Sequence, residues 1–227
     1  SLTPFFYTFR ERAAILDLFE SYCGARLTLN CMKIGGVPFE LPEGWVERCS
    51  ALVDGFNAHI DEYENLLTEN RIWKKRTIGI GVVSPEEAVE WGLTGPPLRG
   101  SGVKWDIRKV FPYDRYDEID FDIPIGANGD TYDRYLVRME EMRQSVRILR
   151  QCLDRLPAGP SMARVPKILR SKAGMVYGAV EAPKGELGYF IVATEKGTAP
   201  YRCHVRPPSF VNLQALPLMV EGHLVAD

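Results

Sequence analysis

The stretch GPPLRGSGVKWDIRK, residues 95–109, has the residue types of a phosphate-binding loop and part of its spacing. Four residues separate Gly95 from Gly100, as in the Walker A motif, in which backbone N–H groups surround the phosphates of a nucleotide. That motif requires a lysine directly after its second glycine, and Ser101 stands there instead. The two prolines between the glycines also lack the N–H groups that would bind phosphate. We therefore predict that this stretch is not a nucleotide site.

A second glycine pattern, GIGVVS at residues 79–84, resembles the beginning of the dinucleotide-binding motif GxGxxG. Ser84 replaces the third glycine, and Arg99 lies about 20 residues further on, where the motif has an acidic residue. A turn before a capped helix explains the pattern better, because Ser84, Pro85 and Glu87 suit the N-cap, N1 and N3 positions of a capping box.

Neither the cysteines nor the histidines form a recognisable metal-binding pattern. The five cysteines are Cys23, Cys31, Cys49, Cys152 and Cys203, and the three histidines are His59, His204 and His223. The sequence contains no CxxC, HxxxH or HxH spacing, which the common metal sites use. An odd number of dispersed cysteines favours reduced thiols in an intracellular protein. We predict no metal ligand in this chain.

A third candidate is the acidic run YDRYDEIDFDIP, residues 113–124, which carries five carboxylates within nine residues. It could bind a cation or act in acid–base catalysis, but the interleaved aromatic and isoleucine side chains indicate a half-buried segment. Nearby basic side chains that could pair with these acids are Arg99, Lys104, Arg108, Lys109 and Arg115. We favour a charged network that orders the surrounding loop or docks a partner, and we predict no catalytic residue here.

The composition limits the kinds of partner. With 45% apolar and 26% charged residues, the chain has the composition of a folded globular protein. Its net charge of −2 gives no basic signature for binding nucleic acid. No apolar run approaches the roughly 20 residues of a membrane-spanning helix. We expect no nucleic-acid partner.

Three long helices are predicted from apolar residues that recur at helical spacing. The first covers residues 5–22 and ends at Gly24, which suits a left-handed C-terminal position. The second begins near Pro42 and ends near Asn70, which could cap it. The third begins after Asp130 as its N-cap. Its polar face carries Arg134, Arg138, Arg143, Arg147 and Arg150.

Between residues 92 and 129 the apolar residues follow neither helical nor strand spacing, which predicts a long loop. Loops of such length are normally functional or held by a partner. Downstream, residues 176–182, 186–194 and 200–208 alternate as three short strands, and a short helical segment follows. The fold class is therefore mainly α with a small antiparallel β-sheet, that is, α+β. We expect a helical bundle core at residues 1–157, with the charged loop at 92–129, and the sheet and C-terminal helix at 158–227, within one domain of a longer chain.

Eight segments together, in this order, resemble the D subunit of respiratory complex I. They are TPFFYTFRER, GARLTLNCMKIGGV, TENRIWKKRTIGIGVVS, GPPLRGSGVKWDIRK, PYDRYDEIDFDIPIGANGD, YDRYLVRMEEMRQS, EAPKGELGYF and PPSFVNLQALP. This family is the NADH–quinone oxidoreductase component that is related to the large subunit of nickel–iron hydrogenases. The resemblance implies a hydrogenase large-subunit-like helical bundle, and a fragment that lacks an N-terminal region and a C-terminal tail.

The resemblance also implies a function. The family is peripheral on the cytoplasmic side of the inner cell membrane, or on the matrix side in mitochondria. With the B subunit of the complex, which holds a [4Fe–4S] cluster, it forms the quinone-reduction cavity, and electron transfer from NADH to quinone is coupled to proton translocation. The implied partners are the B and C subunits, the membrane arm and quinone. No cofactor would be bound directly by this segment, and the segment alone would not be active.

Three positions match apolar positions of the family's quinone cavity. Phe5 and Phe9 match aromatics on a cavity-lining helix, and Leu27 matches an apolar position in the nearby turn. The ligands of the quinone head group belong to family regions outside this segment. Within the long loop, the residues themselves indicate four charged anchors that would hold it against neighbours: Arg99, Lys104, Asp106 and Arg108.

Two alternatives remain open at this stage. In EAPKGELG, hydrogenases typically carry arginine where this chain has Lys184, which keeps the positive charge but loses the planar fork of hydrogen-bond donors. This departure fits a site without nickel and iron, yet the large subunit of an energy-converting nickel–iron hydrogenase remains one alternative. A non-catalytic scaffold of the same fold is the other.

Overall fold

The computed structural model describes residues 2–224, which contain nine helices and one three-stranded sheet. The helices are α1 Thr3–Cys23, α2 Trp45–Leu67, α3 Arg71–Thr77, α4 Pro85–Glu90, α5 Pro96–Gly100, α6 Ile107–Val110, α7 Thr131–Asp154, α8 Pro208–Leu213 and α9 Leu216–Val220. The strands are β1 Gly174–Ala182, β2 Gly185–Ala193 and β3 Arg202–Arg206. The predicted α+β class is confirmed. Among these described helices, none has the length and apolar character needed to cross a membrane.

The chain divides into two compact units, each built from separate stretches of sequence. The first unit comprises Ser1–Glu69 and Ser145–Lys167, and the second comprises Asn70–Gln144 and Ile168–Asp227. Helix α7 thus supplies its first part to the second unit and its last part to the first.

In the first unit, α1 and α2 pack against each other through an apolar interior that includes Leu18, Val53 and Ile60. The indole nitrogen of Trp45 donates a hydrogen bond to the carbonyl oxygen of Leu18 at 3.0 Å, which ties the start of α2 to α1. Gly24 ends α1 in the left-handed conformation, with φ of 74°, so that the predicted end of this helix is confirmed.

Two predicted helix ends were wrong. Helix α2 begins at Trp45 rather than near Pro42, because Gly44 precedes it in the left-handed conformation, with φ of 71°, which the right-handed helix cannot include. Asn70 does not cap the end of α2. Its side-chain oxygen instead accepts hydrogen bonds from the backbone N–H groups of Ile72 and Trp73, at 2.9 and 3.2 Å, and so caps the beginning of α3.

In the second unit, the predicted capping box at α4 is confirmed. The Ser84 hydroxyl accepts a hydrogen bond from the Glu87 N–H at 3.2 Å, and the Glu87 carboxylate accepts one from the Ser84 N–H at 2.9 Å. A small apolar core lies beside this helix. It consists of Val83, Ala88, Leu93, Leu98 and Ala215.

The long loop at residues 92–129 is more ordered than its composition indicates. It contains the two short helices α5 and α6, and every residue from 93 to 101 is buried. The Arg99 carbonyl accepts a hydrogen bond from the Gly126 N–H at 2.8 Å, which closes much of the loop on itself. Helices of five and four residues are too short to produce an apolar period, which is why the sequence did not predict them.

Helix α7 begins as predicted, since the Asp130 carboxylate accepts a hydrogen bond from the Asp133 N–H at 2.8 Å. The sheet is antiparallel in the order β1-β2-β3. Ala182 pairs with Gly185 across a two-residue turn of Pro183 and Lys184. The three predicted strands are therefore confirmed, with bounds shifted by a few residues.

Candidate functional site

The first candidate site is the aromatic face of α1, in the first unit. Phe5 and Phe9 lie one helical turn apart, so their side chains are neighbours on the helix surface. They are 59% and 55% exposed, and Phe6 beside them is also exposed. Leu27, which follows the helix end at Gly24, is exposed as well. The structure thus places two of the three matched residues on one helix and the third in the turn after it.

A buried carboxylate, that of Glu11, lies on the opposite side of α1. The Glu11 carboxylate is only 4% exposed and accepts hydrogen bonds from the Tyr63 hydroxyl, at 2.5 Å, and from Arg10. His59 lies 3.3 Å from the same carboxylate. Burial raises the pKa of Glu11, but the hydrogen bonds from Tyr63 and Arg10 outweigh it, and the pKa of Glu11 is lowered overall. Burial, together with the bond to Glu11, raises the pKa of Tyr63. These bonds fix α1 on α2 and leave its aromatic side facing outward.

The second candidate site is a buried ion cluster in the second unit, centred on Arg99. The Arg99 side chain is 1% exposed. Its Nε donates to the Glu141 carboxylate of α7 at 2.7 Å, and one terminal nitrogen lies 3.0 Å from the Glu181 carboxylate of β1. The same nitrogen donates to the Trp105 carbonyl oxygen at 3.0 Å. One side chain therefore connects the loop, a helix and a strand.

Asp106 and Arg108 complete this cluster. The fully buried Asp106 carboxylate accepts hydrogen bonds from two nitrogens of the Arg108 side chain, at 2.9 and 2.6 Å, and lies 3.5 Å from Arg99. It also accepts from the Arg108 backbone N–H at 3.0 Å, which caps α6. Burial raises the pKa of Asp106, but the bond and charge of Arg108 outweigh it, so the pKa of Asp106 is lowered.

Glu181 behaves differently within the same cluster. Its pKa is raised, mainly because burial disfavours the charged form, and the negative charge of Asp106 adds to this effect. Arg99 opposes the rise without cancelling it. Two guanidinium groups, those of Arg99 and Arg108, are in contact with three carboxylates, those of Asp106, Glu141 and Glu181. This excess of acids is consistent with one carboxyl retaining its proton more readily than the others.

The cluster bears on the four predicted loop anchors. Arg99, Asp106 and Arg108 are brought together, whereas Lys104 is exposed and lies outside the cluster. Sequence reasoning missed Glu141 and Glu181. Of these two residues, Glu181 could more easily have been predicted from the sequence, because a carboxylate in the otherwise apolar run VYGAVEA requires a partner if it is buried.

The acidic run packs around aromatic rings, as its interleaved sequence indicates. Phe121 is 4% exposed, and Arg108 and Lys109 lie over its ring at 4.7 and 4.1 Å from the centroid. The Tyr113 hydroxyl accepts a hydrogen bond from the Glu181 N–H at 2.9 Å, which joins this segment to β1. The run therefore forms part of the ordered loop.

The glycines of the opening stretch have a packing role. Gly95 has φ of 68°, and a Cβ atom on it would collide with the backbone of Gly185 at the β1–β2 turn. A Cβ atom on Gly100 would lie 2.6 Å from the Cγ atom of Arg134. Beside the contact between Gly95 and Gly185, the Thr94 hydroxyl accepts a hydrogen bond from the Glu186 N–H at 3.1 Å. These glycines allow the loop backbone to approach its neighbours closely.

Residues 2–224 contain no cluster of three or more histidine, cysteine, aspartate or glutamate side chains with metal-binding geometry. The five cysteines are free thiols, of which Cys49 is buried and Cys152 and Cys203 are exposed.

The fold and the sites define an α+β protein that exposes an aromatic helix face in one unit and holds a long loop by a buried ion cluster in the other. The chain belongs to the family described as "Respiratory-chain NADH dehydrogenase, 49 Kd subunit", which it matches over residues 1–172 and 165–227. The resemblance seen in the eight sequence segments is therefore confirmed.

Three relatives illustrate the similarity. The chain is 53% identical over 227 residues to the second D subunit of NADH-quinone oxidoreductase from Solibacter usitatus, of which it covers 61%. It is 47% and 46% identical to the D subunits of NADH-quinone oxidoreductase from Paramagnetospirillum magneticum and Geotalea uraniireducens, and covers 64% of each. In all three comparisons, the whole of this chain is matched. The chain thus spans less than two thirds of the length of these relatives.

Proposed function

We propose that this chain is part of a peripheral-arm component of NADH–quinone oxidoreductase, and that it forms one wall of the cavity in which quinone is reduced. The observation that carries this proposal is the aromatic face of α1 in a chain that belongs to this family throughout its length. The names of the relatives give the reaction class, an oxidoreductase that uses NADH and quinone.

The α1 face has the chemistry that a quinone tail requires. An isoprenoid tail offers no hydrogen-bonding groups, so its binding depends on apolar and aromatic contact area. Phe5 and Phe9 supply two adjacent rings, and the exposed Leu27 supplies an aliphatic surface. Arg12 lies over the Phe9 ring at 5.4 Å from its centroid, which restrains that ring without covering both of its faces.

The other parts of the reaction belong to partners in this proposal. The B subunit holds the [4Fe–4S] cluster that delivers electrons, the C subunit and the membrane arm complete the assembly, and quinone reduction is coupled to proton translocation. The chain lies on the cytoplasmic or matrix side of the membrane, and binds no cofactor itself. Its own contribution is to bind and orient the quinone tail.

The test is quinone-dependent NADH oxidation by membranes that carry the full-length protein with Phe9→Ala. Phe9 is largely exposed, so we expect normal assembly together with a raised KM for a long-tailed quinone. Loss of one aromatic contact corresponds to about 1–2 kcal/mol, or roughly tenfold in KM. The matched control is Phe210→Ala, since Phe210 is 68% exposed but lies on α8. An unchanged KM for Phe9→Ala, or an equal change in the control, would refute the role of this face.

Two alternative functions compete with this proposal. The chain could belong to the large subunit of an energy-converting nickel–iron hydrogenase, or to a non-catalytic scaffold of the same fold. Stoichiometric nickel in the purified full-length protein would support the hydrogenase. A complete assembly that shows no dependence of quinone reduction on this chain would support the scaffold. The relatives named above favour the quinone-linked enzyme.

A further inference from the structure

A cavity of about 810 Å³ opens in the second unit, between α3, the beginning of α7 and α9. This volume lies within the range of about 300 to 1,000 Å³ typical of small-molecule sites. Residues of the Arg99 ion cluster do not line it. The cavity therefore requires its own explanation.

The walls of the cavity are mainly apolar and aromatic. Trp73 of α3 and Tyr135 of α7 meet edge to face, with ring centroids 5.4 Å apart. Met219 and Val220 of α9 form part of the opposite lining. Such walls favour a ligand with a hydrocarbon or aromatic body.

Two guanidinium groups also line this cavity. Arg134 and Arg138 lie one turn apart on α7. Arg134 is 7% exposed, and its side chain donates hydrogen bonds to the carbonyl oxygens of Gly129 and Gly81, each at 2.8 Å. These acceptors are neutral, and the nearby carboxylates of Asp130 and Asp133 offset part of the Arg134 charge. The prediction that all five arginines of α7 lie on a polar outer face was therefore wrong for Arg134.

Arg138 is the more accessible of the two. It donates one hydrogen bond to the Arg134 carbonyl oxygen at 2.7 Å, and its surface is exposed. Desolvation nevertheless lowers the pKa of Arg138, the negative charge of Glu141 opposes this effect, and the positive charge of Arg99 adds to it. Desolvation likewise lowers the pKa of Arg134. A negative charge placed beside these two cations would stabilise both.

We propose that this cavity binds a single-chain amphiphile with an anionic head group, carboxylate or phosphate. Its head group lies at Arg138, and its apolar chain lies against Tyr135, Met219 and Val220. The proposal goes beyond quinone reduction and does not depend on it, because the site is defined by residues of the second unit alone.

The experiment uses the full-length protein in the assembly in which it is isolated. Three dodecyl probes that carry the same photoreactive diazirine are compared: the carboxylic acid, the monophosphate and the neutral alcohol. After irradiation, labelled peptides are mapped by mass spectrometry. We expect both anions to label peptides that contain Trp73 or Met219, and the alcohol to label them weakly. Comparison of the two anions identifies the preferred head group.

Variants of α7 supply the second arm. Arg138→Gln should lower labelling by the anions about tenfold, which is the effect of losing one charge-assisted hydrogen bond. The matched control is Arg150→Gln, an exposed arginine of the same helix that does not line the cavity. Equal labelling by acid, phosphate and alcohol would overturn the anion site. Absence of labelling by all three would show that water or protein fills the cavity, and would also overturn it.

Discussion

The Asp106→Ala substitution tests whether the buried ion cluster holds the long loop. Asp106 is fully buried, binds Arg108 through two side-chain hydrogen bonds and lies 3.5 Å from Arg99. Removing its carboxylate leaves two guanidinium groups with one fewer counter-charge. Breaking a buried ion pair in this way costs about 3–5 kcal/mol. The lost cap of α6 belongs to the same interaction and is not added separately.

The assay is hydrogen exchange of backbone amides in the assembled full-length protein. The amides of Lys109 and Val110 donate to the Asp106 carbonyl within and beside α6, so they report local opening. A loss of about 3–5 kcal/mol corresponds to roughly two to four orders of magnitude faster exchange. The matched control is Lys104→Ala, which removes an exposed charge two residues away and should change exchange by about twofold at most.

The stabilisation by Asp106 should depend on pH in a definite direction. The pKa of Asp106 is lowered in the folded protein, so its stabilising effect is present above the unfolded value, near about 3.9, and is lost as pH falls through the folded value. The difference between Asp106→Ala and the parent protein should therefore shrink in acid. Unchanged exchange in the variant would refute the anchoring role. So would an assembled complex with normal exchange but no activity, because it would assign Asp106 to the chemistry instead.

Two further predictions concern the same unit. The pKa of Glu181 is raised in the folded protein, so its carboxyl group stabilises the fold below the unfolded pKa of about 4.3, and this contribution is lost as pH rises through the folded pKa. Glu181→Gln should therefore reduce the fall in thermal midpoint between these two pKa values. An unchanged dependence of the thermal midpoint on pH would contradict this prediction. Gly129→Ala should lower the thermal midpoint, because Gly129 has φ of 69° and a Cβ atom there would collide with the Val83 carbonyl oxygen. The left-handed backbone conformation alone costs a residue with a Cβ atom about 1–2 kcal/mol. Gly24→Ala, with φ of 74° and open space around it, is the control that separates strain from collision, and equal effects of the two substitutions would exclude the collision.

The sequence predicted those elements whose causes are local. The end of α1 at Gly24 and the capping box at Ser84 follow from the conformational and hydrogen-bonding properties of single residues, and both are confirmed. Asn70 shows the limit of such reasoning. An asparagine between two helices can cap either one, and only its extended backbone, with ψ of 119°, assigns it to α3.

The ion cluster was not predictable from local patterns. Arg99 donates hydrogen bonds to Glu141 and Glu181, which lie 42 and 82 residues away along the chain. Helical periodicity places Glu141 on the polar side of α7, where a solvent-exposed position is the ordinary expectation. Arg134 was misassigned for the same reason, since its acceptors are backbone carbonyls that a sequence pattern does not reveal.

The same contacts answer the question raised by GPPLRGSGVKWDIRK. Phosphate binding would require free donors on this stretch, and the Arg99 side chain is already bound to acceptors of the protein itself. Its Nε and one terminal nitrogen lie 2.7 and 2.5 Å from Glu141, and the other terminal nitrogen donates to Glu181 and Trp105. A phosphate at Arg99 would have to displace two carboxylates inside the fold. The glycines serve close backbone packing, and the basic residue serves the protein's own acids, so the resemblance to a nucleotide loop reflects the demands of folding.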